Sequence, residues 1–237
     1  EEQVAIVRFL DWANARLERT IRAKRRVIAL LTEQKQAIIH RAVTRGLDPT
    51  VPLKPSGIAW LGDIPAHWEV LALKRVLRRL IDCEHKTAPK VDDSEFRVVR
   101  TTAVRNGDLR MFGTYCTTPE AFRAWTRRGL PEVGDVIFTR EAPAGEACLV
   151  PDETKVCLGQ RTVLMKLNKS RLNAQFLINT IYAGPPRIAI TLATQGSTVG
   201  HFNMVDIGAL TILLPPKQEQ DQIVDSVREQ TAGLVTA

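Results

Sequence analysis

No run of about 18 apolar residues occurs in this chain, which excludes a helix long and apolar enough to span a bilayer. Nor does the chain open on the basic, apolar and small-residue succession of a secretory leader, so export is not expected. Cysteine is sparse and dispersed: Cys83, Cys116, Cys148 and Cys157 form neither a CxxC pair nor the dense framework of a small secreted domain. A reducing, cytoplasmic setting without disulfides is the expectation. An initiating methionine is also missing, and the chain starts directly in a helical pattern, as a fragment or a processed product would.

Signatures of catalysis are equally thin. No glycine-rich loop follows a strand pattern, and Pro215-Pro216 lacks the Asn or Asp and the aromatic of an adenine methyltransferase motif, so no cofactor is expected. Pro151-Asp152 and Glu153-Thr154-Lys155 contain pieces of a metal-dependent nuclease motif. They abut, however, and even with Asp135 as a distant carboxylate a charged turn is the simpler reading. His40, His67, His85 and His201 are scattered, and Cys83-x-His85 alone does not make a metal site. Neither a Ser-His-Asp set nor any other catalytic residue can be assigned from spacing, and the chain is read as a non-enzyme with no metal.

What the chain does carry is repetition. Glu2-Gln3-Val4-Ala5-Ile6-Val7 stands ten residues before Leu17, and Glu219-Gln220-Asp221-Gln222-Ile223-Val224 stands ten residues before Leu234. A helix start recurring at one offset points to a single period of an internally repeated protein. Positive charge is the second feature, with a net +7 and a pI near 9.5. It is concentrated in residues 1–46, which hold 10 basic against 5 acidic residues. A phosphate-binding surface would have this balance, although composition does not decide it.

Residues 1–45 contain neither proline nor glycine, and apolar residues recur there at steps of three and four. A heptad places Val7, Asn14, Ile21, Ile28, Lys35 and Ala42 at one core position and Leu10, Leu17, Lys24, Leu31 and Ile38 at the other. Gly46 and Asp48-Pro49 supply the stop. Val7, Leu10, Asn14, Leu17, Ile21, Ile28, Leu31 and Ile38 are therefore expected to pair with another helix, because a lone rod would leave the stripe in water. Asn14 is a candidate for fixing register. Arg19, Arg22, Lys24, Arg25 and Arg26 read more simply as a solvated face than as phosphate contacts.

The expected organisation is a spacer or dimerisation helix over 1–46, an extended linker over 47–69, a globular domain over 70–215 and the start of a second spacer helix over 216–237. Four prolines and two glycines punctuate the linker, and Trp60 and Trp68 are expected to pin it to the domain. Short apolar runs at 97–99, 135–138, 148–150, 163–165 and 210–214 predict strands, while 71–81, 119–128 and 172–183 predict helices. The fold class is α+β, a β-sheet core with short helices attached to a long coiled-coil-forming helix.

Several of these stretches resemble one family. The run Ser56-Gly57-Ile58-Ala59-Trp60-Leu61-Gly62-Asp63-Ile64-Pro65-Ala66-His67-Trp68-Glu69-Val70 looks like the lead-in to a target recognition domain of type I restriction-modification specificity subunits. Gly134-Asp135-Val136-Ile137-Phe138, Gly196-Ser197-Thr198 with Asn203, and Leu214-Pro215-Pro216-Lys217-Gln218-Glu219-Gln220 resemble the same family. Residues 34–48 resemble the end of its central spacer helix. The resemblance implies two recognition domains per polypeptide, each reading half of a split DNA site, held apart by two antiparallel helices. It also implies methylation subunits docked on those helices and restriction subunits joining that assembly. One domain is present here, so either two copies pair as a homodimer through the long helix or another half is needed.

Readout of double-stranded DNA requires side chains that reach base edges: arginine for guanine, asparagine or glutamine for adenine, with serine and threonine assisting. The loop holding Gln195, Ser197, Thr198, His201 and Asn203 is rich in them, as are the segments carrying Arg100, Thr102, Arg105 and Asn106, Arg140, and Gln160 with Arg161. The expected function is sequence-specific DNA recognition that directs methylation and restriction by partner subunits. The alternative is a coiled-coil scaffold whose basic domain touches nucleic acid without sequence preference.

Overall fold

The computed structural model describes residues 1–194 and 202–235. Helix α1 (Glu2–Arg45) runs without interruption, and its end is set by Gly46, which takes φ 73 and donates its N–H to Ala42 O. Only the last turns of α1 are buried, through Ile39, Ala42, Val43 and Thr44. His40 Nδ1 sits 2.7 Å from Ala183 O, tying the same stretch to the domain. Toward its start, Val7, Leu10, Leu17 and Ile21 are exposed.

The stretch expected to be an extended linker is folded back on itself. Strands β1 (Leu53–Pro55) and β2 (Asp63–Pro65) form an antiparallel hairpin with Lys54 opposite Ile64. Ile64 and Trp68 are fully buried, whereas Trp60 stays 47% exposed, so one of the two expected anchors is seated and the other is not.

Residues 71–81 are not helical. Strand β3 (Glu69–Ala72), a 3-10 turn at Leu73–Arg75 and strand β4 (Leu77–Asp82) occupy them instead. Their apolar spacing fits both periods, and tertiary pairing decides between them. Strand β4 takes one edge of a four-stranded sheet against β12 (Thr162–Leu167), with Leu164 opposite Ile81. The other members are β9 (Val136–Thr139) and β10 (Ala147–Leu149), giving the antiparallel order β10-β9-β12-β4. All four residues of β9 are buried, as a strand covered on both faces requires. Strand β13 (Thr211–Leu214) pairs antiparallel with β3 and so closes the domain where it began.

A second sheet, ordered β11-β5-β8, contains β5 (Phe96–Val99), β8 (Tyr115–Cys116) and β11 (Lys155–Leu158), with β11 parallel to β5. The hairpin β6 (Val104–Arg105) and β7 (Asp108–Leu109) lies beside β10. Helix α2 (Pro119–Thr126) is capped by Thr118, and α3 (Ala174–Ala183) by Asn173, each through a side-chain oxygen that accepts a backbone N–H. Helices α4 (Pro185–Thr194) and α5 (Met204–Ala209) precede β13, and α6 (Lys217–Val235) leaves the domain after it.

Helix α6 runs back along α1. Its first turn lies near Gly46, and further along, Val227 and Leu234 share a groove with Leu31 and Ile28. Ile223, Val224, Val227 and Thr231 are buried in this contact and against the domain. The long helix is thus paired over its second half by a helix of its own chain. The architecture is α+β, a β-sheet-rich domain with short helices on a long helical arm.

Candidate nucleic-acid interface

The strand registers bring several of the candidate segments to one end of the four-stranded sheet. Thr162 lies opposite Thr139, and Val163 opposite Asp82, so β4 and β9 finish where β12 starts. The parallel pair aligns Leu158 with Val99, and Gly159 N donates to Val99 O at 2.9 Å. A Cβ on Gly159 would come within 2.5 Å of that carbonyl, so the close approach requires glycine. Arg100, the turn carrying Gln160 and Arg161, and the loops after Asp82 and Thr139 therefore emerge together.

Arg100, Thr102, Gln160, Arg161 and Asn203 are exposed there. Gln160 Nε2 donates to His85 O at 3.1 Å, and Arg161, in the left-handed region at φ 69, pairs with Glu141 at 3.3 Å. Arg100 Nε donates to Gly113 O, and its guanidinium lies 6.0 Å from the Tyr115 ring centre. Asn203 caps α5 by accepting from Asp206 N. Gln195, Ser197, Thr198 and His201 lie outside the described residues.

Arg140 stands apart from the exposed candidates. Its side chain is 9% exposed, its Nη1 donates to both oxygens of Asp82 at 2.8 and 2.9 Å, and its Nε donates to Phe202 O at 2.9 Å. The backbone adds two bonds, Arg140 N to Arg161 O and Phe202 N to Arg140 O. Arg140 thus fastens three loops to one another, and so positions neighbours that are open to solvent. A buried guanidinium bonded at once to a carboxylate and to a carbonyl acts as a rigid fork between them. Burial disfavours the Asp82 carboxylate, but hydrogen bonds and charge from His85 and Arg140 outweigh it and hold its pKa below the ordinary carboxylate value.

Arg105 and Asn106 lie toward the β10 edge. Arg105 Nη1 donates to the carbonyls of Thr101 and Val104, and Asn106 N donates to Glu146. The neighbouring Tyr182 hydroxyl meets Glu146, Gly107 N and Ala147 N. Asn106 lines the helical groove with Leu31, Lys35 and Tyr182, a setting distinct from that of Gln160.

Two residues absent from the sequence reading of DNA contacts belong to this surface. Phe112 is 83% exposed on the 3-10 turn Met111–Gly113, whose Gly113 carbonyl receives Arg100. His85, at φ 53, lies 2.9 Å from Asp82 through Nε2 and 3.9 Å from Cys83 Sγ through Nδ1. Asp82, Cys83 and His85 form the one group of possible metal ligands among the described residues. Since Arg140 already occupies both Asp82 oxygens, the cluster reads as an ion-pair network. Neither residue carries a signal in isolated sequence, because each depends on which loops meet.

At its far end β12 leads into a different kind of site. Gln220 is fully buried in the first turn of α6, where its Nε2 donates to Arg171 O and Pro215 O and its Oε1 accepts from Asn173 N. Beside it, Glu219 accepts from Trp68 Nε1 at 3.0 Å and meets His67 Nε2 at 2.7 Å. The exposed loops and this helical socket thus sit at opposite ends of one strand.

This arrangement has structural counterparts. A chain solved in work on complex assembly and conformational transition of the type I R-M system matches 97% of the present chain at 19% identity and a TM-score of 0.61. The HsdS subunit from Thermoanaerobacter tengcongensis matches 93% of it at 18% identity and a TM-score of 0.55. The fold is that of a type I specificity subunit. The chain spans about half the length of each, 52% and 49%. No family profile matches it, and no curated protein does either. The S-subunit likeness covers both α1 and the sheet domain, the two parts read separately from the sequence.

Proposed function

We infer that the chain is a sequence-specific DNA recognition subunit that directs methylation and restriction carried out by partner subunits. The observation that carries this reading is the convergence of Arg100, Thr102, Gln160, Arg161 and Asn203 at one end of the sheet within an S-subunit fold. Rigid strands and the Arg140 fork hold these donors and acceptors, as base readout requires. Gln195, Ser197, Thr198 and His201 belong to the same proposal through their place in the sequence just before Phe202, whose backbone pairs with Arg140. Arg105 and Asn106 would act at the margin, and Arg140 as a positioning residue. The chain performs no chemistry itself, and α1 serves for spacing and for pairing with another helix, including that of a second copy.

Selection of binding sites from a randomised duplex pool at moderate salt, with the mass of the bound species recorded, tests this. A split consensus is expected, and one that is palindromic if two copies bind. Binding that stays blind to sequence and collapses steeply with salt would instead establish the nonspecific scaffold.

A further inference from the structure

We propose that Phe112 is an aromatic wedge, held out by the turn Met111–Gly113 so that it enters between two stacked base pairs of the bound duplex and bends it. The proposal rests on the DNA-recognition reading above and adds how the duplex is deformed.

Exposure of a phenyl ring to water is unfavourable. Phe112 is nevertheless the most exposed large apolar residue among those described, at 83%, and its neighbour Met111 is exposed as well. On a slack loop the ring could fold back onto the protein, but this turn is fastened at its base. Arg110 N donates to Ala103 O at 2.7 Å, the Thr114 N–H and hydroxyl both donate to Met111 O, and Gly113 O accepts from Arg100 Nε at 3.1 Å. Gly113 itself lies against the neighbouring turn Thr101–Ala103, where a Cβ would come within 2.6 Å of Ala103 Cα. The turn has no room to retreat, and the ring stays presented.

The surroundings of the ring indicate what it meets. Between residues 100 and 116 three arginines, Arg100, Arg105 and Arg110, stand against the single carboxylate of Asp108. A protein partner is recognised by a broad apolar patch with a polar rim. Here one aromatic apex is flanked by the exposed Arg110 in the chain and by the Arg100 guanidinium bonded to its turn. That combination suits a duplex, whose phosphates take the arginines while the ring stacks on bases. Arg100 also ties the turn to the end of β5, so the wedge stands beside Gln160 and Arg161 rather than on a remote face.

Entry of the ring separates one base step, at an energy that depends on which step it is. Pyrimidine–purine steps unstack most readily, so the site would prefer TA or CA/TG at the wedge without a hydrogen bond to those bases. Phe112 thus selects by deformability while its neighbours select by hydrogen bonding.

The test uses the full chain, with the duplex obtained by the selection above and a mixed-sequence duplex of the same length. Each carries a dye pair at its ends, which reports bending, and a fluorescent adenine analogue at successive positions, whose emission rises where a base is unstacked. Wild type is expected to bend the selected duplex and to brighten one step. Phe112→Ala is expected to leave melting unchanged, to bind about tenfold or more weakly and to abolish both signals. Phe112→Leu, still an apolar wedge, should keep them in part. If wild type and Phe112→Ala choose the same site with equal affinity and equal signals, the wedge is overturned and the recognition reading stands. If neither prefers a site but wild type alone bends the mixed duplex, the wedge stands and sequence recognition falls. Absence of any binding to duplex overturns both.

Discussion

Side chains of the same type do opposite work in this protein according to where the strands leave them. Arg161 is open to solvent and Arg140 is not, although both follow strand ends and look alike in sequence. Alanine at Gln160 or Arg161 should therefore erode preference for a cognate site, by about 1–3 kcal/mol for each good bidentate hydrogen-bond pair removed, with melting unchanged. Arg140→Ala should lower stability as well as binding, because it removes the guanidinium that bonds Asp82 and Phe202 O and leaves Asp82 with His85 as its side-chain partner. Since Asp82 has a depressed folded pKa, its clamp contributes fully above the unfolded carboxylate value of about 4 and fades as pH falls through the folded value. Asp82→Asn should accordingly flatten the acid limb of a stability profile, and an unchanged limb would show that the clamp does not titrate there. Burial pushes the Cys148 and Cys157 thiols up to about 12, so both should resist alkylation at neutral pH until the chain unfolds. Gly46 adopts a backbone conformation open mainly to glycine, with Glu219 and Trp68 side chains within 3.3 Å of any added Cβ. Gly46→Ala should cost about 1–3 kcal/mol, measurable by denaturant titration.

The long helix behaves as two elements. Over its second half the apolar pattern meets α6 and the domain, and Ile39 and Val43, outside the heptad core positions, are among its most buried residues. Over its first half the heptad residues Val7, Leu10 and Leu17 stay open to solvent. Leu17→Asp should thus abolish association between copies while leaving the melting temperature of the isolated chain nearly unaltered. Leu31→Asp, in the groove shared with Val227 and Leu234, should lower that temperature by loosening α6. Equal effects of the two substitutions on melting would contradict this division. The segment 71–81 makes the complementary point, since its apolar residues satisfy helical spacing and yet β4 completes a sheet that only β12 could offer.

The whole molecule places exposed recognition candidates at one end of β12 and a helical socket at the other, so a helix could fix the distance between two such domains while the loops face a ligand. Excess positive charge should make binding fall with salt, with a slope in log K near 0.9 per phosphate neutralised. For a reader of base sequence, the ratio between cognate and random duplex should survive that fall. A ratio that shrinks to unity at moderate salt would point to charge alone.

Local chemistry made much of this legible in advance. Freedom from proline and glycine fixed α1, Gly46 its end, and five apolar runs became strands, because these depend on neighbours within a few residues. The repeat of Glu-Gln-x-x-Ile-Val was equally plain. Tertiary structure alone decided which arginine is a buried fork and which faces solvent, that Trp68 is buried while Trp60 is not, and that Phe112 and His85 join the surface. The physical reason is the same in each case: burial and partnership depend on which distant segments the sheet register brings together, and a single sequence does not print its register.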